Sequence, residues 1–130
     1  MLDLKKIKGL KKQDVAKLVD IETVEHQLNT VLPKEYKELL NITNGFRTSK
    51  GIFVYGTEDL VERNNTLEVQ KYANGYLAIG DDSGDSVFLI SLNNEKRDVL
   101  IVDCGDMSLN YSIKVASSLE EWIKNGCNLN

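Results

Sequence analysis

The stretch Tyr76-Leu-Ala-Ile-Gly-Asp-Asp-Ser-Gly-Asp-Ser-Val-Phe-Leu-Ile-Ser91 contains two apolar runs separated by a turn that holds three aspartates and a glycine. Apolar and β-branched residues favour strands, whereas Asp and Gly favour tight chain reversals. We therefore expect a β-hairpin at about 76–92 whose turn lies within Asp82-Ser83-Gly84. The second strand, 86–92, has apolar residues at both alternating sets of positions and should be central in its sheet.

Three helices are predicted from the spacing of apolar residues, at about 20–29, 33–43 and 58–72. Asp20 and Thr57 are the expected N-caps of the first and third, and Pro33 begins the second. The second helix should end at Asn44-Gly45, and Asn64-Asn65 is the expected weak point of the third.

The remaining segments predict an antiparallel meander followed by a terminal helix. Strands are expected within 51–56 and 112–116, and at about 76–80, 86–92 and 98–104. A last helix over 119–124 follows Ser117 or Ser118 as its cap and contains Trp122, which we expect in the core. The fold class predicted is a single α+β domain with helices packed on a largely antiparallel central sheet.

Charge is distributed unevenly along the 130 residues. The net charge is −4, but the first 17 residues hold six lysines against two aspartates, so residues 18–130 carry 10 basic and 18 acidic groups. We divide the chain into a basic N-terminal arm or helix, 1–19, and a domain, 20–130. An acidic domain repels nucleic acid and attracts basic proteins, so a protein partner is predicted, not a nucleic acid.

Catalytic and cofactor-binding patterns are missing from the sequence. It contains neither of the common glycine-rich nucleotide-binding motifs, and His26 is the one histidine available as a base or metal ligand. The acids of 81–85 suit a turn better than a calcium loop, because the twelfth position counted from Asp81 is Leu92. Cys104 ends an apolar run and is expected to be buried, and it and Cys127 should be reduced. We predict no enzyme activity, no cofactor and no metal.

Four blocks in this order resemble the SUKH superfamily, which includes yeast cell-wall-assembly regulators and bacterial toxin-immunity proteins. They are Leu32-Pro33…Tyr36…Leu39-Leu40…Asn44-Gly45, then Gly51-Ile-Phe-Val-Tyr-Gly56…Glu58-Asp59-Leu60…Asn64, then Ile79-Gly80-Asp81-Asp82-Ser83-Gly84-Asp85 with Phe88-Leu89-Ile90, and finally Ser118-Leu119-Glu120-Glu121-Trp122-Ile123. The resemblance implies an α+β fold and a non-catalytic role. It carries over no catalytic residues, because the shared positions are mostly glycine, proline and apolar core types.

The leading hypothesis is a cytoplasmic immunity protein that binds and neutralises a cognate toxin, with a basic nuclease as the expected target. The alternative is a regulatory or scaffolding domain that binds another protein, and a small-molecule-binding or hydrolytic domain is a third possibility. No apolar run approaches the roughly 18 residues that a membrane span needs. The candidate partner-binding residues are the acids of the hairpin, the third helix and the end of the last long strand: Asp81, Asp82, Asp85, Glu58, Asp59, Glu62, Asp103 and Asp106.

Overall fold

The predicted hairpin lies within a seven-stranded antiparallel sheet in the computed structural model, which describes residues 2–129. Strand order along the sheet follows the chain: β1 (Lys11–Lys12), β2 (Phe46–Arg47), β3 (Phe53–Val54), β4 (Tyr76–Asp81), β5 (Ser86–Ser91), β6 (Val99–Asp103) and β7 (Ile113–Ala116). The helices are α1 (Leu18–Leu28), α2 (Lys34–Leu40), α3 (Thr57–Thr66), α4 (Val69–Tyr72) and α5 (Leu119–Lys124), with a short 3-10 turn at Leu109–Tyr111. The α+β prediction is confirmed.

Strand β5 is central, as its two apolar faces predict. It pairs with β4 on one side and β6 on the other, and Val87, Phe88, Leu89 and Ile90 are all buried. Since successive side chains of a strand point to opposite faces, both faces of the sheet are covered here. Trp122 of α5 packs against Phe88 with ring centroids 4.8 Å apart, which confirms its predicted place in the core.

The N-caps of α1 and α3 differ from prediction. Asp20 lies in the first turn of α1, and Lys17, whose side chain makes no capping bond, holds the N-cap position. Thr57 is the first residue of α3, and its backbone N–H donates to Oδ1 of Asn44 at 2.8 Å, while the Asn44 amide donates to the Thr57 hydroxyl at 2.9 Å. The cap of α3 therefore comes from the loop that follows α2.

That capping loop lies against the residue before α3 at backbone contact distance. A Cβ atom built on Gly56 would lie 2.3 Å from the carbonyl oxygen of Asn44, and one built on Gly45 would lie 2.6 Å from the oxygen of Val54. Gly45 also has φ +79°, a left-handed conformation that side chains disfavour. The Asn44-Gly45 and Gly56-Thr57 pairs, which the sequence places 12 residues apart, thus form one joint.

The predicted helix at 58–72 is two helices, α3 and α4, and the break does not fall at Asn64-Asn65. The chain turns at Glu68, whose φ of 52° is left-handed and interrupts the helical ladder. Asn64 is buried within α3, and its amide donates to Ala78 O and accepts from Ala78 N–H, each at 2.9 Å. The expected weak point is therefore a point of attachment between α3 and β4.

A second side-chain amide, that of Gln70, forms hydrogen bonds with the backbone at the start of β4. Nε2 of Gln70 donates to the carbonyl oxygen of Tyr76 at 2.6 Å, and its Oε1 accepts from Gly75 N–H at 3.2 Å. Strand β3 pairs with only Gly80 and Asp81 of β4. Where β3 ends, the amides of Asn64 and Gln70 take over as partners of the β4 backbone.

The N-terminal segment is extended rather than helical. Lys11 and Lys12 form the edge strand β1, paired with β2, and Leu2, Ile7 and Ala16 are buried in the core. The lysines of this segment are exposed, as expected. The division of the chain at residue 19 stays a prediction.

Substitution of Asn64 by Leu should lower the free energy of unfolding by about 2–4 kcal/mol, because it leaves the buried N–H and C=O of Ala78 without partners. Asn65→Leu is the matched control, since Asn65 is exposed on the same helix. Urea unfolding of both variants measures the difference. Equal stability of the two variants would contradict the role given to Asn64.

One carboxylate connects α1 to α2. Oε2 of Glu25 accepts from Leu32 N–H at 2.7 Å and lies 2.8 Å from Nζ of Lys37. Partial burial of Glu25 opposes ionisation, but the ion pair with Lys37 and the Leu32 N–H together lower its pKa below the usual value. Ionised Glu25 therefore stabilises the folded chain.

Glu25→Gln should destabilise the protein by about 1 kcal/mol at pH 7 and by less at pH 3. A pKa that is lower in the folded state means that the stabilisation is complete above the unfolded pKa and is lost as the pH falls through the folded one. Thermal melts of wild type, Glu25→Gln and the exposed control Glu22→Gln at both pH values measure this. A loss on Glu25→Gln that is the same at pH 3 and pH 7 would refute the assignment.

Candidate interaction surface

The turn of the hairpin is held by the side chain of Asp82. Its Oδ1 accepts from Gly84 N–H at 2.9 Å and from Ser86 N–H at 3.1 Å, which caps the reversal. The left-handed residue is Ser83, with φ 65°, and its hydroxyl donates to Gly51 O at 2.6 Å. Asp82 is therefore needed for the turn whether or not it meets a partner.

Asp81 is also bonded within the fold. Its Oδ2 accepts from the Tyr55 hydroxyl at 2.7 Å, and its Oδ1 accepts from Ser83 N–H at 2.9 Å. Burial of Tyr55, reinforced by the neighbouring Asp81 carboxylate, raises the pKa of the phenol far above its usual value, although Arg63 acts in the opposite direction. Tyr55 thus stays neutral and donates a hydrogen bond to Asp81. A hydrogen bond to Tyr55 also raises the pKa of Arg63.

Three other candidate acids come together beside the hairpin turn. Asp85, Asp103 and Asp106 are all exposed. Strand register places Asp103 opposite Ser86, the residue after Asp85, and Cys104 N–H donates to Asp85 O at 2.7 Å. Asp103 also forms an antiparallel bridge with Asp106. We call Asp85, Asp103 and Asp106 the acidic end of the sheet.

Two of these acids also support the turn after β6. Oδ1 of Asp103 accepts from Gly105 N–H at 2.7 Å, and Oδ1 of Asp106 accepts from Ser108 N–H at 3.0 Å. A carboxylate has a second oxygen, so each can bond the turn and still face a partner. An asparagine at either position keeps the accepting oxygen and removes the charge.

The acids of α3 lie elsewhere. Glu58 and Asp59 line a cleft that also contains Asp14, Asp20, Lys17 and Arg47, among others, and the hairpin acids are not among its lining residues. Its charge is mixed, and the Arg47 guanidinium stacks on the Phe53 ring at 3.8 Å from the centroid. Glu62 accepts from the Thr66 hydroxyl at 2.8 Å and lies 3.7 Å from Arg63. The eight candidate acids therefore do not share one surface.

Asn44, Asn64 and Tyr55 also position this surface, and the sequence alone does not predict that role for them. The Asn44-Gly45 pair by itself indicates only the end of a helix, and the hydrogen bonds of Asn64 and Tyr55 join residues 14 and 26 positions apart in the chain. No local pattern indicates such pairs. The prediction that Cys104 is buried is wrong: Cys104 is exposed, because β6 ends at Asp103 and Cys104 lies in the turn that follows.

Residues with potential for chemistry are dispersed. Within residues 2–129, no three His, Cys, Asp or Glu side chains are placed to hold a metal ion. His26 is exposed in the last turn of α1. Cys127 is a free, buried thiol, and burial raises its pKa to about 12, so it is not poised as a nucleophile.

Over residues 16–125 the chain matches the SMI1 / KNR4 family (SUKH-1). It belongs to that family, and the matched range contains every strand except β1 and all of the helices described above. It is also 31% identical over 113 residues to the uncharacterized protein YnaB of Bacillus subtilis (strain 168), an alignment that covers 85% of this chain and 75% of the relative. Family membership supports a toxin-immunity or regulatory domain in general, and such domains are generally non-catalytic.

No helix in the described part of the chain is both long and apolar enough to cross a membrane. The longest, α1, has 11 residues.

Asp82→Ala should lower the free energy of unfolding by about 1–2 kcal/mol, because two turn N–H groups lose their shared acceptor. Asp85→Ala removes the same charge from the same turn and should change stability by less than about 0.5 kcal/mol. Chemical denaturation of the two variants measures the contrast. Equal losses would show that charge rather than turn capping matters at Asp82.

Proposed function

We propose that this protein is a non-catalytic immunity protein that binds a basic toxin, with a nuclease domain as the expected target, and blocks its active surface. The observation that carries the proposal is the acidic end of the sheet, where three exposed carboxylates lie at the end of β6 and in the two turns beside it. Family membership supports an immunity or regulatory role in general. The specific toxin-binding role is our inference from the charge and its placement.

The chemistry of such an inhibition follows from what a nuclease must bind. Its substrate is a polyanion, so its active face presents Lys and Arg side chains to phosphates. Carboxylates held on a rigid strand end can occupy those cations in place of phosphate, with charge-assisted hydrogen bonds. Complementary charge also accelerates encounter, which suits an inhibitor that must act before the toxin reaches its substrate. An inhibitor of that kind works in the compartment of the substrate, so we place it in the cytoplasm.

Asp81, Asp82, Glu58, Asp59 and Glu62 take a secondary part in this proposal. Asp81 and Asp82 are engaged in the hairpin and shape the surface rather than provide free charge. The other three contribute to the long-range field of the acidic domain, whose reach in physiological salt is about 8 Å.

Co-expression with a toxin domain encoded next to this chain's gene tests the function. The protein should restore growth and bind the purified toxin domain in a 1:1 complex. A triple variant at the acidic end (Asp85→Asn, Asp103→Asn, Asp106→Asn) should slow association about tenfold at low salt and flatten its salt dependence.

The charge-matched control removes three exposed carboxylates elsewhere: Glu22→Gln, Glu95→Gln and Asp98→Asn. It should slow association far less than the triple variant at the acidic end. Equal effects of the two triple variants would refute the surface. Failure to protect against any neighbouring toxin, together with capture of a non-toxin partner, would refute the immunity function and favour the regulatory alternative.

A further inference from the structure

Beside the acidic end lies a recess between residues 66–72, which include α4, and the turn that follows β6. Its volume is about 330 Å³. Its walls combine an exposed aromatic ring, Tyr72, with two carboxylates, Glu68 and Asp106, and its lining also includes Leu67 and the buried Met107.

The side chain of Tyr72 is 52% exposed although it terminates a helix that packs on β4. An exposed aromatic ring next to carboxylates favours a cation, because the ring face and the anions attract positive charge together. The chain itself provides an example of this preference. Nζ of Lys71 lies 5.2 Å from the centroid of the Tyr72 ring and 3.7 Å from Oε2 of Glu68.

Lys71 is 68% exposed, so water surrounds the cation and an incoming cationic group can replace it at little cost. Asp106 reaches the recess from the other wall and belongs to the acidic end. The recess is therefore continuous with the surface to which the proposed function assigns the partner. Tyrosine and arginine are, with tryptophan, enriched at the energetic centres of protein interfaces.

We propose that this recess receives an arginine or lysine side chain of a basic protein partner, with Tyr72 as the aromatic anchor and Glu68 and Asp106 as its counter-ions. The identity of the partner as a toxin rests on the proposed function, but the chemistry of the recess does not. In this arrangement Lys71 competes with the partner for the same ring and carboxylate. Removal of Lys71 should therefore strengthen binding, an effect opposite in sign to the loss of Tyr72.

A hexa-arginine peptide is a suitable probe because it needs no knowledge of the partner. In an NMR titration at low salt, the backbone signals of Glu68, Tyr72 and Asp106 should shift most. Tyr72→Ala should weaken binding two- to fivefold, Tyr72→Phe should retain it, and Lys71→Ala should tighten it about twofold. Asp106→Asn, which keeps the oxygen that accepts from Ser108, should weaken binding by a similar factor.

Glu22→Gln, which removes an exposed carboxylate outside the recess and the acidic end, is the control and should leave the affinity within experimental error. Shifts centred on Glu58 and Asp59, or affinities that follow net charge alone and ignore Tyr72, would overturn the proposal. Because the peptide is not a toxin, that result would leave the immunity function standing. Conversely, binding at Tyr72 without protection against a toxin would refute the function and not the recess.

Discussion

The pairing of side-chain amides with the backbone of β4 is the interaction on which the rest of the structure depends. Strand β3 is two residues long and leaves part of β4 without a strand beside it. Asn64 and Gln70 form hydrogen bonds with the backbone groups of Ala78 and Tyr76 that β3 does not reach, in place of a longer strand. Helix α3 can therefore pack beside β4 at positions where β4 would otherwise need another strand as its hydrogen-bond partner.

This attachment sets the positions of the groups around the hairpin. With Asn64 fixed on β4 and Asn44 capping the first residue of α3, the helix is held at its start and near its end. Arg63, adjacent to Asn64, then reaches the hydroxyl of Tyr55, which donates to Asp81. The same helix leads through the left-handed Glu68 into Tyr72. The hairpin turn and the recess beside it thus depend on one docked helix.

The aspartates at and beside the hairpin turn are of two kinds. Asp81 and Asp82 satisfy buried or constrained donors, and their charge is used inside the molecule. Asp85, Asp103 and Asp106 each have an exposed carboxylate. In Asp103 and Asp106 only one carboxylate oxygen accepts a hydrogen bond from the turn after β6. The acids near the hairpin turn therefore have two roles that fall to different residues: Asp81 and Asp82 stabilise the turn, and the other three provide exposed negative charge.

Local chemistry explains which features the sequence predicts. The hairpin, the central strand and the Trp122 anchor follow from alternation, turn residues and a capped helix, all of which lie within a few positions of one another. The edge strands β1 and β2 are two residues long and leave no alternating pattern to detect. No glycine or proline marks the helix break at Glu68. Residue types alone also do not indicate that Ser83, and not Gly84, adopts the left-handed conformation in the hairpin turn. The grouping of Asp85 with Asp103 depends on the register between β5 and β6, which no single segment encodes.

The central claim is that the partner meets the end of the sheet where the hairpin turn and the turn after β6 lie together. Hydrogen exchange of the backbone amides, measured in the free protein and in its complex with the toxin domain, tests this most directly. We expect slower exchange in the complex at residues 83–85 and 104–107 and around Tyr72, with little change at residues 14–20. Protection confined to residues 14–20 and 56–59 would contradict the claim, because it would place the partner on the cleft beside α1 and α3 instead.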